Sequence, residues 1–128
     1  MDEAFAIVDP EDVDTGLFNT CDVSHRKLTE PLGCSEMRVN QVRLEPGDVT
    51  TPHAHEGQEE VFVAMTDGRI EIDDEVRDVS RGTVVRVGPE PMRSLRNDRD
   101  EETQVWLAFG APPVGTIDGF GSYVVADE

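Results

Sequence analysis

A chain of 128 residues and 14.1 kDa has room for one hydrophobic core and no second one. Its 28 acidic residues against 11 basic ones give a formal net charge of −17, a field that repels nucleic acid and anionic lipid and excludes both as partners. Valine, at 17 positions, is the commonest apolar residue, and β-branched side chains fit pleated sheets better than helices, so the expectation is an all-β domain.

Taken in chain order, strands are expected at residues 4–8, 37–44, 60–65, 69–73, 76–79, 83–87, 93–96, 103–109 and 122–125. Turn clusters separate nearly all of them, among them Glu45-Pro46-Gly47-Asp48, Ser80-Arg81-Gly82 and Gly88-Pro89-Glu90-Pro91. Short strands at regular spacing point to a sandwich or barrel, and breakers limit helix to short turns. The chain reads as a single domain in three stretches. Residues 1–36 form an irregular segment with an edge strand at 4–8, residues 37–110 the barrel core, and residues 111–128 a loop and last strand. No run of 18 apolar residues is present, which gives no transmembrane helix, and Met1-Asp2-Glu3-Ala4 lacks the positive start of a signal peptide, so a cytoplasmic location is expected. Cys21 and Cys34 stand apart without a CxxC spacing and read as reduced structural thiols.

The residues that carry chemistry lie between Gly47 and Arg93. Residues two apart in an extended segment share a face, so His53 and His55, on either side of Ala54, can point together into a barrel. A carboxylate at the start of the following strand can meet them. Two imidazoles and one carboxylate make a three-ligand site for Fe, Zn, Mn or Ni, with positions left open for a small molecule or water. Glu60 is the preferred carboxylate because it shares strand phase with Phe62 and Ala64; Glu59 is the alternative and needs a bulge to face inward. Phe62 and Leu95, with Met65 and Met92, read either as the apolar wall of a cavity or as barrel filling. His25, beside Arg26 and Lys27, belongs to the one basic cluster and reads as neutralising nearby acids, while Trp106 and Phe109 read as packing residues. No nucleophile elbow, phosphate-cradling glycine loop or paired cysteine and histidine is present, so hydrolase, kinase and thiol-enzyme readings are dropped.

The pattern Gly47, five residues, His53-Ala54-His55, then Glu60 resembles the first motif of the cupin superfamily, Gly-x5-His-x-His-x3–4-Glu-x6-Gly. The closing glycine falls on Asp67, with Gly68 one place later. The second motif, Gly-x5-Pro-x-Gly-x2-His-x3-Asn, aligns from Gly82 to Asn97 but has Gly88 for the proline, Glu90 for the glycine and Arg93 for the fourth metal-binding histidine. The resemblance, over about residues 37–110, implies a small conserved-barrel cupin, a double-stranded β-helix that is often a homodimer. It names no reaction.

Arg93 limits how far the metal-binding implication carries, because a guanidinium stays protonated and cannot ligate a cation. Three arrangements are open: a substrate-binding Arg93 that anchors a carboxylate or phosphate beside a metal held by His53, His55 and Glu60; an Arg93 paired with Glu60 or Glu59 in place of the metal; or a surface arginine holding Asp98 or Asp100. The functions that follow are a metal-dependent dioxygenase or isomerase acting on a small anionic metabolite, or a non-catalytic ligand-binding or sensory module.

Acids spread along the whole chain, with a single lysine, Lys27, among ten arginines, resemble the composition of proteins from salt-accumulating halophiles. Self-repulsion at this net charge destabilises the compact state at low ionic strength, and molar salt relieves it by shortening the screening length to about 3 Å. The melting temperature is therefore expected to fall as salt drops below about 0.5 M; thermal melts across a salt series check this, and a salt-independent midpoint refutes it.

Overall fold

The structure, a computed structural model, describes residues 4–18, 21–55, 57–98, 101–113 and 123–125. A 3-10 turn at Pro10–Asp12 comes first, with the Asp9 carboxylate accepting from the Glu11 N–H at 3.0 Å. It is followed by β1 (Gly16–Leu17), β2 (Ser24–Lys27), the single helical turn α1 (Thr29–Leu32), β3 (Arg38–Leu44), β4 (His53–His55) and β5 (Glu59–Ala64). Then come β6 (Gly68–Ile72), β7 (Glu75–Val79), β8 (Val84–Val87), β9 (Arg93–Arg96), β10 (Gln104–Ala111) and β11 (Tyr123–Val125). Among the described residues no helix is long and apolar enough to cross a membrane.

The strands form two antiparallel sheets, ordered β1-β2-β3-β10-β5-β8 and β11-β4-β9-β6-β7, which face each other as a double-stranded β-helix. Strand β10 is the spine of the larger sheet. Its residues alternate between buried and half-buried, so Gln104, Trp106, Ala108 and Gly110 point inward. Trp106, fully buried, lies opposite Val42 on β3 and the small Ala64 on β5, and meets Phe62 edge-on at 6.3 Å. Ile70, Val79 and Leu95 from the smaller sheet close the core against Val42, Leu44, Phe62 and Val87 from the larger. Gly68 is required here, since a Cβ on it would lie 2.7 Å from the Trp106 ring.

Strands β6 and β7 join through a two-residue turn in which Asp73 and Asp74 both adopt left-handed φ values, 47° and 68°, the geometry that matches the twist of a hairpin. The segment between β3 and β4 is pinned to the end of β9. Asn97 accepts from the Gly47 N–H at 2.8 Å and donates its own N–H to Asp48 at 2.8 Å. Further along, Thr50 exchanges hydrogen bonds with Leu95 and receives the Ser94 hydroxyl proton at 2.6 Å. These contacts fix where β4 begins.

Two expectations about the N-terminal stretch are corrected. Residues 4–8 form no strand, and Phe5 and Ile7 are 73% and 90% exposed. On that side of the larger sheet β2 pairs with β3 and β1 is the outermost strand, and residues 4–8 pair with none of the described strands. Strand β2 comes instead from the polar run Ser24–Lys27, whose Arg26 ties β3 to the preceding loop through Gln41 at 2.8 Å and the Val13 carbonyl at 3.0 Å. Residues 114–122, most of the expected C-terminal loop, lie outside the described residues, as does Asp100.

Asn97, with no exposed surface, donates its side-chain amide to the carbonyls of Leu44 at 3.0 Å and Glu102 at 2.7 Å. Replacing it by Ala leaves the buried Leu44 carbonyl without this donor. A loss of about 2 kcal/mol is expected, read by chemical denaturation at constant high salt.

Candidate metal centre

The register of the sheets brings the sequence-predicted residues to one place. His53 lies opposite Arg93 where β4 pairs with β9, and period-two geometry sends His55 the same way, so that the two rings meet edge-on with centroids 4.8 Å apart. Glu60 reaches the same point from β5. Its Oε2 lies 3.5 Å from His55 Nε2, while its Oε1 accepts from Arg93 Nη1 at 3.4 Å. The donor atoms of His53, His55 and Glu60 all fall within 4.8 Å of one another.

The protonation pattern suits metal ligation. His53 Nδ1 is 2.8 Å from the Thr51 carbonyl, which only accepts, so Nδ1 carries the proton and Nε2 keeps its lone pair. Burial holds the His53 pKa below the usual histidine value, against the opposing pull of the Thr51 carbonyl and Glu60, which keeps the ring neutral near pH 7. The 3.5 Å between His55 Nε2 and Glu60 Oε2 matches the separation of two donors bonded to one ion at about 2.1 Å. The residues present therefore fit a divalent metal ion.

Glu59 points the other way. It is exposed on the outer face of β5, where its carboxylate accepts from Arg86 Nε at 2.6 Å, as strict alternation without a bulge requires. Arg93 is not a surface residue: it is 1% exposed, and it donates to the Gly88 carbonyl as well as to Glu60. Asp98, the surface partner considered for it, is held by Arg96 and Arg69 instead. Burial lowers the Arg93 pKa, and Glu60 and Asp73 oppose that shift.

Beside these residues opens a pocket. Phe62 and Leu95 line it, whereas Met65 is 45% exposed on the outside and Met92 is not part of the wall. Arg38, Asn40 and Gln58 also line it and were not anticipated. The signal for the first two was present. Counting back by twos from Leu44 along β3 gives Val42, Asn40 and Arg38 on one face. Burial pulls the Arg38 pKa below its ordinary value. Gln58 precedes β5 and donates to the Pro112 carbonyl at 2.9 Å; it occupies space that Gly110 leaves, since a Cβ there would lie 2.7 Å from its Oε1.

The sequence matches the cupin domain family over residues 40–109, and the chain belongs to that family. A search of curated proteins gives no match. Among solved structures, a sugar phosphate isomerase of the cupin superfamily from Silicibacter pomeroyi is 19% identical, with a TM-score of 0.71 over 82% of this chain and 74% of that one. KdgF from a Halomonas species is 17% identical, with a TM-score of 0.69 over 87% and 94% of the two chains. A protein described as a predicted oxalate decarboxylase, from Thermotoga maritima, is also 17% identical, with a TM-score of 0.71 over 83% and 98%. At these identities the likeness is one of fold.

The two adjacent glutamates differ in what their loss does. Glu60→Gln strands the buried Arg93 charge and is expected to lower the stability of metal-free protein by about 2 kcal/mol or more. Glu59→Gln, on the surface, is expected to change it by less than about 0.5 kcal/mol; denaturation of both variants side by side checks the contrast.

Proposed function

We propose that this cupin binds a divalent metal ion through His53, His55 and Glu60 and holds a small anionic metabolite against it, as a metal-dependent enzyme of small-molecule metabolism. The observation that carries this reading is the division of the Glu60 carboxylate, with one oxygen on Arg93 and the other beside His55. Arg93 thus stands where the resemblance puts a fourth ligand without displacing the third, and its hydrogen bond aims the Glu60 carboxylate. When bound, the ion supplies a Lewis acid that polarises a carbonyl, carboxylate or enolate oxygen, the chemistry of isomerisation and decarboxylation. Such reactions are named for two of the fold's relatives, a sugar phosphate isomerase and a predicted oxalate decarboxylase. His53 is fixed by the Thr51 carbonyl so that Nε2 points inward, Phe62 and Leu95 exclude water from one wall, and positive charge in the pocket favours an anion.

A second reading has its own support. Among the described residues that line the pocket, the three ligands are the only carboxylate and imidazoles able to move a proton, which supports a non-catalytic ligand-binding or sensory module.

Elemental analysis of untagged protein, purified in high salt without chelators, tests the proposal. Near-stoichiometric metal is expected, and its absence is expected in His53→Ala/His55→Ala. An empty site that stays empty after metal is added back overturns the metal reading. With metal present, turnover that disappears in the double variant supports the enzyme, and unchanged ligand affinity without turnover supports the binding module.

A further inference from the structure

Arg93 bears on the metal centre through its backbone as well as its side chain. Its backbone lies between two strands, opposite Ile72 on β6 and opposite His53 on β4. Its guanidinium donates to Glu60 through Nη1 and to the Gly88 carbonyl through Nη2, while Nε meets no acceptor among the described residues. A long side chain held only at its tip follows its base. The position of residue 93 therefore reaches two of the three ligands, His53 through strand pairing and Glu60 through the guanidinium.

The base is held from outside the pocket, by Asp73. This residue opens the turn between β6 and β7, one step beyond the pairing of Ile72 with Arg93. Its N–H donates to the Met92 carbonyl at 2.9 Å, and its Oδ1 accepts from the Met92 N–H at 3.1 Å. One residue thus takes both polar groups of the Met92 backbone, immediately before β9 begins. A left-handed φ favours Gly, Asn or Asp, so the turn alone accounts for the class of residue at 73 and at Asp74 beside it, with φ of 47° and 68°. The side-chain bond to Met92 is something the turn does not require. Asp73 is also, with Glu60, a carboxylate whose charge opposes the effect of burial on Arg93, which places it close to the guanidinium.

We propose that Asp73 is a positioning residue of the metal centre: by holding Met92 it sets where Arg93 stands, and through Arg93 how His53 and Glu60 are presented to the ion. This rests on the metal reading given above. Asp73 is exposed, so a surface turn controls the geometry of a buried site.

Titration of metal-free protein with Co(II), in high salt and at fixed pH, tests the assignment on wild type and three variants. Asp73→Gly tolerates the left-handed φ and removes the acceptor, Asp73→Asn keeps an oxygen in the same place, and Asp74→Gly makes the equivalent change one residue away. Outer partners of metal ligands change affinity by about 10- to 100-fold, and for a group one residue further out a loss of about fivefold is expected in Asp73→Gly. The visible absorption of its bound Co(II), which follows ligand geometry, is expected to shift. Asp73→Asn and Asp74→Gly are expected to stay close to wild type in both respects. Melting temperatures of the metal-free proteins are measured on the same samples to establish that each variant is folded. A folded Asp73→Gly with wild-type affinity and absorption overturns the proposal and leaves the metal reading intact, as does an equal loss in Asp74→Gly or in Asp73→Asn. A wild type that takes up no Co(II) removes the metal reading itself and this proposal with it.

Discussion

Arg93 brings a full positive charge to a position 1% exposed, and the arrangement of the site follows from offsetting that charge. A buried guanidinium is tolerated when its hydrogen-bonding capacity is met and an opposite charge is close. Here the Gly88 carbonyl and the Glu60 carboxylate supply both. The Glu60 oxygen so used is unavailable to anything else, which leaves the other to face His55. The pair of strands that carry Arg93 and Glu60 belong to different sheets, so the same contact also ties the two layers of the barrel together at the pocket.

Position in the register, more than residue type, separates the acids and bases that act from those that only solvate the surface. Glu59 and Glu60 are adjacent and chemically alike, yet one is spent on Arg86 in solvent and the other meets two imidazoles. Arg96, three residues after Arg93, is engaged by Glu71 and Asp98 at the surface. The pinning of residues 47–50 to the end of β9 has the same consequence for the histidines. It sets the start of β4, and a slip of one residue there would send His53 and His55 outward and Ala54 in.

This dependence on register explains what was legible in the sequence. Strands β3, β5, β6, β8 and β10 announce themselves through β-branched residues between turn signals, and the inward direction of Glu60 follows from its phase with Phe62. The stretch at residues 4–8 has the same local pattern but pairs with no described strand, and β2 has a poor local pattern but a partner in β3; neither fact is local, so propensity misreads both. The hairpin at Asp73-Asp74 escaped because aspartate adopts left-handed φ less often than the Asn-Gly pairs that mark such turns. Arg93 could be placed in three ways from sequence because the choice depends on Gly88 and Glu60, which converge only in the folded chain. Arg38 was legible by counting along β3, but an arginine at the end of a strand in so charged a chain reads first as solvated surface charge.

A strongly acidic chain and the proposed anionic ligand look incompatible, and length scales reconcile them. Twenty-eight carboxylates distributed along the sequence produce a field whose reach is the screening length, about 8 Å at physiological ionic strength and about 3 Å in molar salt. Inside the pocket the nearest charges are those of Arg38, Arg93 and Glu60, separated from a bound molecule by contact distances and by low-dielectric walls that strengthen them. The surface charge therefore acts on the approach of an anion and the pocket charge on its retention. Salt weakens the first far more than the second, because buried pairs are screened less than exposed ones. The high-salt condition that relieves self-repulsion in the folded chain is thus also the condition in which a cationic pocket can recruit an anion past an acidic surface.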